Sequence, residues 1–377
     1  MTAINELLQE FADIAKNPAA QLDRHIDAGK IVIGVGPYYV PEELVHAAGA
    51  IPFGVWGRMG VASEARKYFP PFYCSICQMT LEMGLNHELD KLSALMVTSL
   101  CDTLRGFSQN YRVGVAQTPM IFVSQPQNRA TKAGREYAAS SYREVARSVG
   151  EVCSTIIDDS ALMESIRLYN EWRAAMREFV KLAAERPSLV SVSQRNDVVN
   201  AGYYLDKAKH LEMMKDLNAA LAAELESVDG FKKIVLSGIF YDIPSIMEML
   251  DEQKYVIVAD DISKESRAFA MQVPEQGDPI EALATGYCNL GNDSILYDAN
   301  KGHVDHVVEI ARKSDAEGVI LLLAKFCDPE EFDAPFIRRA CQAARIPFVQ
   351  IEVDQSTETY EQARTQLEAF GDLIACR

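Results

Sequence analysis

Ala94-Leu95-Met96-Val97-Thr98-Ser99-Leu100-Cys101-Asp102 is a run of apolar, partly β-branched residues that stops at a thiol and a carboxylate. Its length and composition predict a buried strand with Cys101 at the carboxyl tip. The same arrangement returns far downstream, where Gly318-Val319-Ile320-Leu321-Leu322-Leu323-Ala324-Lys325-Phe326 ends in Cys327-Asp328-Pro329. In open parallel α/β sheets ligands and cofactors lie beyond the carboxyl ends of the strands, so both thiols fall where a cofactor is expected. Upstream of the first strand, Pro70-Pro71-Phe72-Tyr73-Cys74-Ser75-Ile76-Cys77 leads into a helical pattern over 78–85. A cysteine at a helix N-terminus has its thiolate favoured by the dipole and by free backbone N–H groups.

The flanking segments repeat the alternation of strand and helix. Lys30–Gly36 and Ile51–Trp56 read as strands on either side of a helix that starts near Pro41 and stops near Gly49. Residues 103–113 read as a helix and Pro119–Val123 as another strand, after two amphipathic helices over residues 2–28. From about 131 to 227 the period changes to helical steps of three and four. Tyr142, Val145, Val149, Val152 and Ile156 form one stripe, and Leu162, Ile166, Tyr169, Trp172, Met176 and Phe179 another, with a break near Pro187. Beyond 228 strands return at Lys233–Leu236, 255–259, 318–326 and Pro347–Ile351.

The two α/β halves share one plan. Setting Lys30-Ile31-Val32 on Lys233-Ile234-Val235 also sets Tyr38 on Tyr241 and Pro41 on Pro244 without a gap, and a slightly larger offset sets Cys101-Asp102 on Cys327-Asp328. Duplication and convergent patterning both explain this order. The expected fold is α/β: two pseudo-symmetric flavodoxin-like parallel-sheet domains, 1–130 and 228–377, with a helical connecting segment at 131–227. Cys101 and Cys327 are then expected on opposite walls of a cleft.

Composition narrows the function. The 377 residues are 48% hydrophobic and 24% charged, as in soluble globular proteins, and the net charge of −17 disfavours nucleic acid or an anionic membrane surface as partner. No apolar run reaches the length of a membrane span, and the first residues lack the basic start and apolar core of a signal peptide, so the chain is expected to be cytoplasmic. In that compartment eight cysteines are better explained by core thiols plus a metal or redox site than by disulfides. Cys74-Ser75-Ile76-Cys77 alone fits a thioredoxin-like pair, half of a zinc site or chance, but no clear strand precedes it and no second close pair follows. Thiols on scattered elements suit an iron–sulfur cluster. Cys153, Cys288, Cys341 and Cys376 read as core or incidental residues. Gly34-Val35-Gly36 lacks a third glycine and no P-loop is present, so neither dinucleotide binding nor P-loop ATP hydrolysis is expected. Asp102 and Asp328 read as caps of the helices that follow them.

Tyr38-Tyr39-Val40-Pro41-Glu42-Glu43-Leu44-Val45-His46-Ala47-Ala48-Gly49, Phe72-Tyr73-Cys74, Leu100-Cys101-Asp102-Thr103-Leu104-Arg105, Ala259-Asp260-Asp261 with Glu265-Ser266-Arg267, Phe326-Cys327-Asp328-Pro329-Glu330-Glu331 and Val353-Asp354-Gln355 together resemble the β subunits of 2-hydroxyacyl-CoA dehydratases. The resemblance covers nearly the whole chain and lies nearest the branch acting on (R)-2-hydroxyglutaryl-CoA. It implies a heterodimer with a homologous α subunit that binds most of the 2-hydroxyacyl-CoA, and a separate ATP-hydrolysing iron–sulfur activator protein that supplies one electron. It also implies a ketyl-radical dehydration to the 2-enoyl-CoA, glutaconyl-CoA for that branch, in which the β chain relays the electron. The family's cluster cysteines fall on Cys74, Cys101 and Cys327, holding a [4Fe–4S] cluster. Cys77 is the candidate for a fourth ligand, or else a core thiol on the second face of the helix start. Flavin (FMN) accompanies some members and no residue here places it. Two other readings stay open: a homodimeric double-cubane-cluster reductase of the same superfamily, and a metal-free two-domain binding protein.

Overall fold

The computed structural model describes residues 3–357 and 359–376. It holds two four-stranded, wholly parallel sheets. The first comprises β1 (Val32–Val35), β2 (Ile51–Gly54), β3 (Ala94–Thr98) and β4 (Met120–Val123) in the order β2-β1-β3-β4. The second comprises β5 (Lys232–Gly238), β6 (Tyr255–Ile262), β7 (Gly318–Ala324) and β8 (Phe348–Val353) in the order β6-β5-β7-β8. The fold class is therefore the expected pair of pseudo-symmetric parallel sheets. Every residue of β3 and β7 is buried, because helices cover both faces of each sheet.

The repeat extends to single hydrogen bonds. Leu95 N–H donates to the Pro119 carbonyl in the first sheet, and Val319 N–H donates to the Pro347 carbonyl in the second. The gapless alignment is corrected at one point. Ser93 N–H reaches the Val32 carbonyl where Glu317 N–H reaches the Lys233 carbonyl, so Val32 matches Lys233 and not Val235. The second half carries two more residues before Tyr241 and two more before Cys327. An increment of two preserves which face each side chain takes, so the slip leaves the hydrophobic pattern intact.

The first described helix is Ala3–Ala15; Thr2, expected to begin it, lies outside the described residues. Between the sheets run helices Lys132–Cys153, Asp159–Glu185, Val192–Tyr204 and Lys207–Ala222, capped in turn by the side chains of Thr131, Asp158, Ser191 and Asp206. Ile156 does not join the stripe predicted for it. Ser154 adopts a left-handed conformation and ends the helix, leaving Ile156 91% exposed. Tyr169, Trp172, Met176 and Phe179 pack with Ile4, Leu8 and Phe11 of the N-terminal helix.

The two halves exchange core residues. Helix Pro279–Cys288, from the second half, packs with Lys132–Cys153 against the first sheet, while Trp56 and Ile76 of the first half join the core of the second. A buried ion cluster crosses the same boundary. The Arg267 guanidinium meets Asp261 at 2.9 Å, Asp293 at 3.0 Å and Glu330 at 3.2 Å, and Asp293 accepts a hydrogen bond from the Tyr39 hydroxyl of the first half. His303 sits between Asp261 at 2.7 Å and Asp333 at 3.0 Å. Burial opposes a charged imidazole there, but the two carboxylates carry its pKa up to about 9.

Because the folded pKa of His303 exceeds the unfolded value of about 6.5, its contribution to stability is complete below about pH 6.5 and is lost as pH rises through about 9. The urea midpoint of the chain is expected to fall between about pH 6 and pH 10, and His303→Gln to flatten that fall. An unchanged slope in the variant would contradict the assignment.

Candidate metal centre

Three helices begin at one place in the molecule, and each begins on a cysteine. Cys74 is the N-cap of Ser75–Leu85, Cys101 of Asp102–Gly114 and Cys327 of Asp328–Ala344. The last two follow β3 and β7 directly, and the first belongs to the connection between β2 and β3. Asp102 and Asp328 are thus not the caps. The cysteines hold the cap positions, and the two acids take the first helical turn, where the dipole favours them.

All three thiols, with Cys77, line one small cavity of about 30 Å³. The rest of its wall is largely apolar, with Pro37, Ile76, Leu104, Ile295, Phe326 and Pro329, and Tyr38 closes one side. Cys74 and Cys101 come from the first half and Cys327 from the second, as a cleft with thiols on both walls requires. Cys341 and Cys288 are buried elsewhere, Cys376 is exposed, and Cys153 lies at a helix end; none lines this cavity. No disulfide joins any described cysteine.

Backbone donors face the sulfurs. Leu104 N–H donates to Cys101 Sγ at 3.4 Å, the N–H groups of Ile76 and Cys77 face Cys74, and that of Glu330 faces Cys327. A helix end contributes about 0.3–1 kcal/mol to a nearby negative charge. Desolvation is larger: burial pushes Cys101 up to about 12 and Cys327 well above the usual thiol range. Cys74 alone is lowered, chiefly by a hydrogen bond from the Cys77 thiol, which is itself raised by that bond and by burial. The site thus combines thiols that burial keeps neutral with one more acidic thiol.

Two close approaches hold the cysteine loop. Gln355, just past β8, donates from its side chain to the Trp56 carbonyl at 2.8 Å, and its own N–H donates to the Ser75 hydroxyl at 3.2 Å. Gly57, at φ +75°, makes room for it: a Cβ there would lie 2.5 Å from Gln355 Oε1. Phe326, immediately before Cys327, is left-handed at φ 60°, as are Tyr38 at 67° and Tyr39 at 52°. Bulky residues are strained in that region, and here the strain lies in the walls of the site.

Among the described residues no group of three or more His, Cys, Asp or Glu is arranged to hold a single metal ion. The three cysteines nevertheless line one cavity, from three separate helix starts. Soft donors, an apolar wall and N–H groups facing sulfur all fit an iron–sulfur cluster.

The family model described as 2-hydroxyglutaryl-CoA dehydratase, D-component, matches residues 37–374, a span that includes all four cavity cysteines. The chain belongs to this family. It is 42% identical to the β subunit of (R)-2-hydroxyglutaryl-CoA dehydratase from Acidaminococcus fermentans, over 99% of this chain and 100% of the relative. It is 38% identical to the (R)-phenyllactyl-CoA dehydratase β subunit from Clostridium sporogenes and 34% identical to the lactoyl-CoA dehydratase β subunit from Anaerotignum propionicum, again over 99% of this chain and the whole of each relative. The resemblance to 2-hydroxyacyl-CoA dehydratase β subunits thus stands, and all three relatives are named as subunits of larger enzymes. No helix among the described residues is long and apolar enough to cross a membrane.

The sequence brought forward the four cavity cysteines but not what surrounds them. Tyr39, Arg267 and Glu330 were visible only as letters in shared motifs, because the pairings Tyr39–Asp293 and Arg267–Glu330 join residues far apart along the chain. In the iron-free chain, brief alkylation near neutral pH is expected to label Cys74 well before Cys101 and Cys327, read by peptide mass spectrometry. Equal labelling of the three would contradict the electrostatics described.

Proposed function

We propose that the chain is the iron–sulfur β subunit of an (R)-2-hydroxyacyl-CoA dehydratase, relaying one electron from an ATP-hydrolysing activator protein to a homologous, substrate-binding α subunit. The observation that carries this reading is the convergence of the Cys74, Cys101 and Cys327 helix caps on one apolar cavity. A [4Fe–4S] cluster held there supplies one-electron storage, the chemistry that dehydration through a ketyl radical of the thioester requires. Higher identity to the 2-hydroxyglutaryl relative than to the phenyllactyl and lactoyl ones favours (R)-2-hydroxyglutaryl-CoA, dehydrated to glutaconyl-CoA, as the substrate of the assembled enzyme.

The positions of this chain's own residues support a role for each in that reading. Cys74, Cys101 and Cys327 ligate, and the N–H groups of the three helix starts donate to their sulfurs, which makes the bound group easier to reduce. Ile76, Leu104 and Phe326 exclude water. Cys77, buried in the same cavity, is read as a core thiol at the helix start and not as the fourth ligand. Four cysteines line the cavity and the other four lie elsewhere, so the donors for a second cubane are missing and the double-cubane reading is disfavoured.

Protein purified without oxygen is expected to carry about four iron and four sulfide per chain. Replacing Cys74, Cys101 or Cys327 by Ala should remove most of both, while Cys77→Ala and Cys376→Ala should retain them. Iron that survives in all of the first three variants would overturn the assignment, and loss of iron in Cys77→Ala would make Cys77 the fourth ligand.

A further inference from the structure

Of the three helices that begin on a cavity cysteine, one carries a second thiol a turn later. The third residue after Cys101 is Leu104 and the third after Cys327 is Glu330, but the third after Cys74 is Cys77. The proposed relay gives Cys77 no ligand role. It is nevertheless unlike Cys153, Cys288, Cys341 and Cys376, because it lines the same small cavity as the three proposed ligands.

Helix geometry brings Cys74 and Cys77 within bonding range. The Cys74 carbonyl accepts from the Gln78 N–H at 3.2 Å, so Cys74 lies on the first turn of the spiral although its own dihedral angles are extended. Residues three apart on such a turn have Cα atoms about 5 Å apart, inside the range of about 4.4–6.8 Å that a disulfide spans. The two side chains also face each other: each is the largest influence on the acidity of the other, lowering Cys74 and raising Cys77. Their exposures differ in the same sense. Cys74 is half-buried at a helix N-terminus, where a thiol is activated and a small oxidant can reach it, while Cys77 is 3% exposed behind it.

We propose that Cys74 and Cys77 form a reversible oxidation site, in which a peroxide oxidises Cys74 of the metal-free chain and Cys77 closes it as a disulfide. In the first step the Cys74 thiolate attacks a peroxide oxygen, the O–O bond breaks, and Cys74 becomes a sulfenic acid as hydroxide leaves. In the second the Cys77 sulfur attacks the sulfenic sulfur, the S–O bond breaks, and the hydroxyl leaves with the Cys77 proton as water. Two thiols lose two electrons in all, and one peroxide becomes two waters. Exchange with a dithiol restores both thiols. The disulfide keeps Cys74 from the sulfinic and sulfonic stages, which are not reversed in this way, so a ligand position stays recoverable. It rests on Cys77 standing outside the proposed ligand set, which the iron content of Cys77→Ala tests separately from the thiol chemistry of the metal-free chain.

The full-length chain, stripped of metal by a chelator without oxygen, is treated briefly with hydrogen peroxide and then alkylated in denaturant. Cleavage after Lys67 and Lys91 leaves both cysteines in one peptide, 68–91. That peptide is expected to be two hydrogens lighter and closed to alkylation, and dithiothreitol to reopen both thiols, while Cys101 and Cys327 take up the alkylating agent throughout. In Cys77→Ser the resolving thiol is gone, and dithiothreitol should no longer recover Cys74. The wild-type bond is read directly, whatever the stability of the variant. A wild-type peptide that keeps both thiols, a disulfide from Cys74 to Cys101 or Cys327, or full recovery of Cys74 in Cys77→Ser would overturn the proposal.

Discussion

Arg267 fixes the geometry on which everything else rests. Its guanidinium gathers one carboxylate from β6, one from the segment that crosses to the first half, and one from the helix that Cys327 caps. Through Asp293 it also holds the Tyr39 loop at the end of β1. Two of the three cysteines belong to one sheet and the third to the other, so a shift of the halves by an ångström or two would open the thiol triangle. Losing one member of such a buried cluster typically costs 3–5 kcal/mol, because the remaining charges have no water to turn to. Gln355 makes the neutral counterpart of this clasp on the Cys74 side.

The thiol site gains its character from opposed terms. Three helix starts point positive ends at the cavity, yet burial keeps Cys101 and Cys327 protonated. A site that is poor at holding bare thiolates and rich in N–H donors suits the cationic, sulfur-ligated core proposed for it. The same donors stabilise added negative charge, which is the property a chain proposed to accept an electron needs.

Much of this was legible because it obeys local rules. Buried parallel strands announce themselves as short apolar runs, and β3 and β7 carried Cys101 and Cys327 at the tips where the runs stop. The hydrogen-bonded register was not legible: the ungapped match of Val32 to Val235 is off by two residues, a slip that leaves every face unchanged and hence the pattern silent. Cap identity was misread for Asp102 and Asp328, since sequence preference favours acids where the fold uses sulfur. The ion cluster could not be read at all. Tyr39 and Asp293 are joined only by tertiary packing, and the left-handed backbone of Tyr38 and Tyr39 runs against the preference of their residue type.

The account is tested most directly by locating iron. An anomalous-difference map at the iron edge, from crystals grown without oxygen, should show one compact iron peak enclosed by the sulfurs of Cys74, Cys101 and Cys327, with Tyr38 on one side. Iron elsewhere, or a cavity in which the three sulfurs face no iron while the chain retains metal, would contradict it.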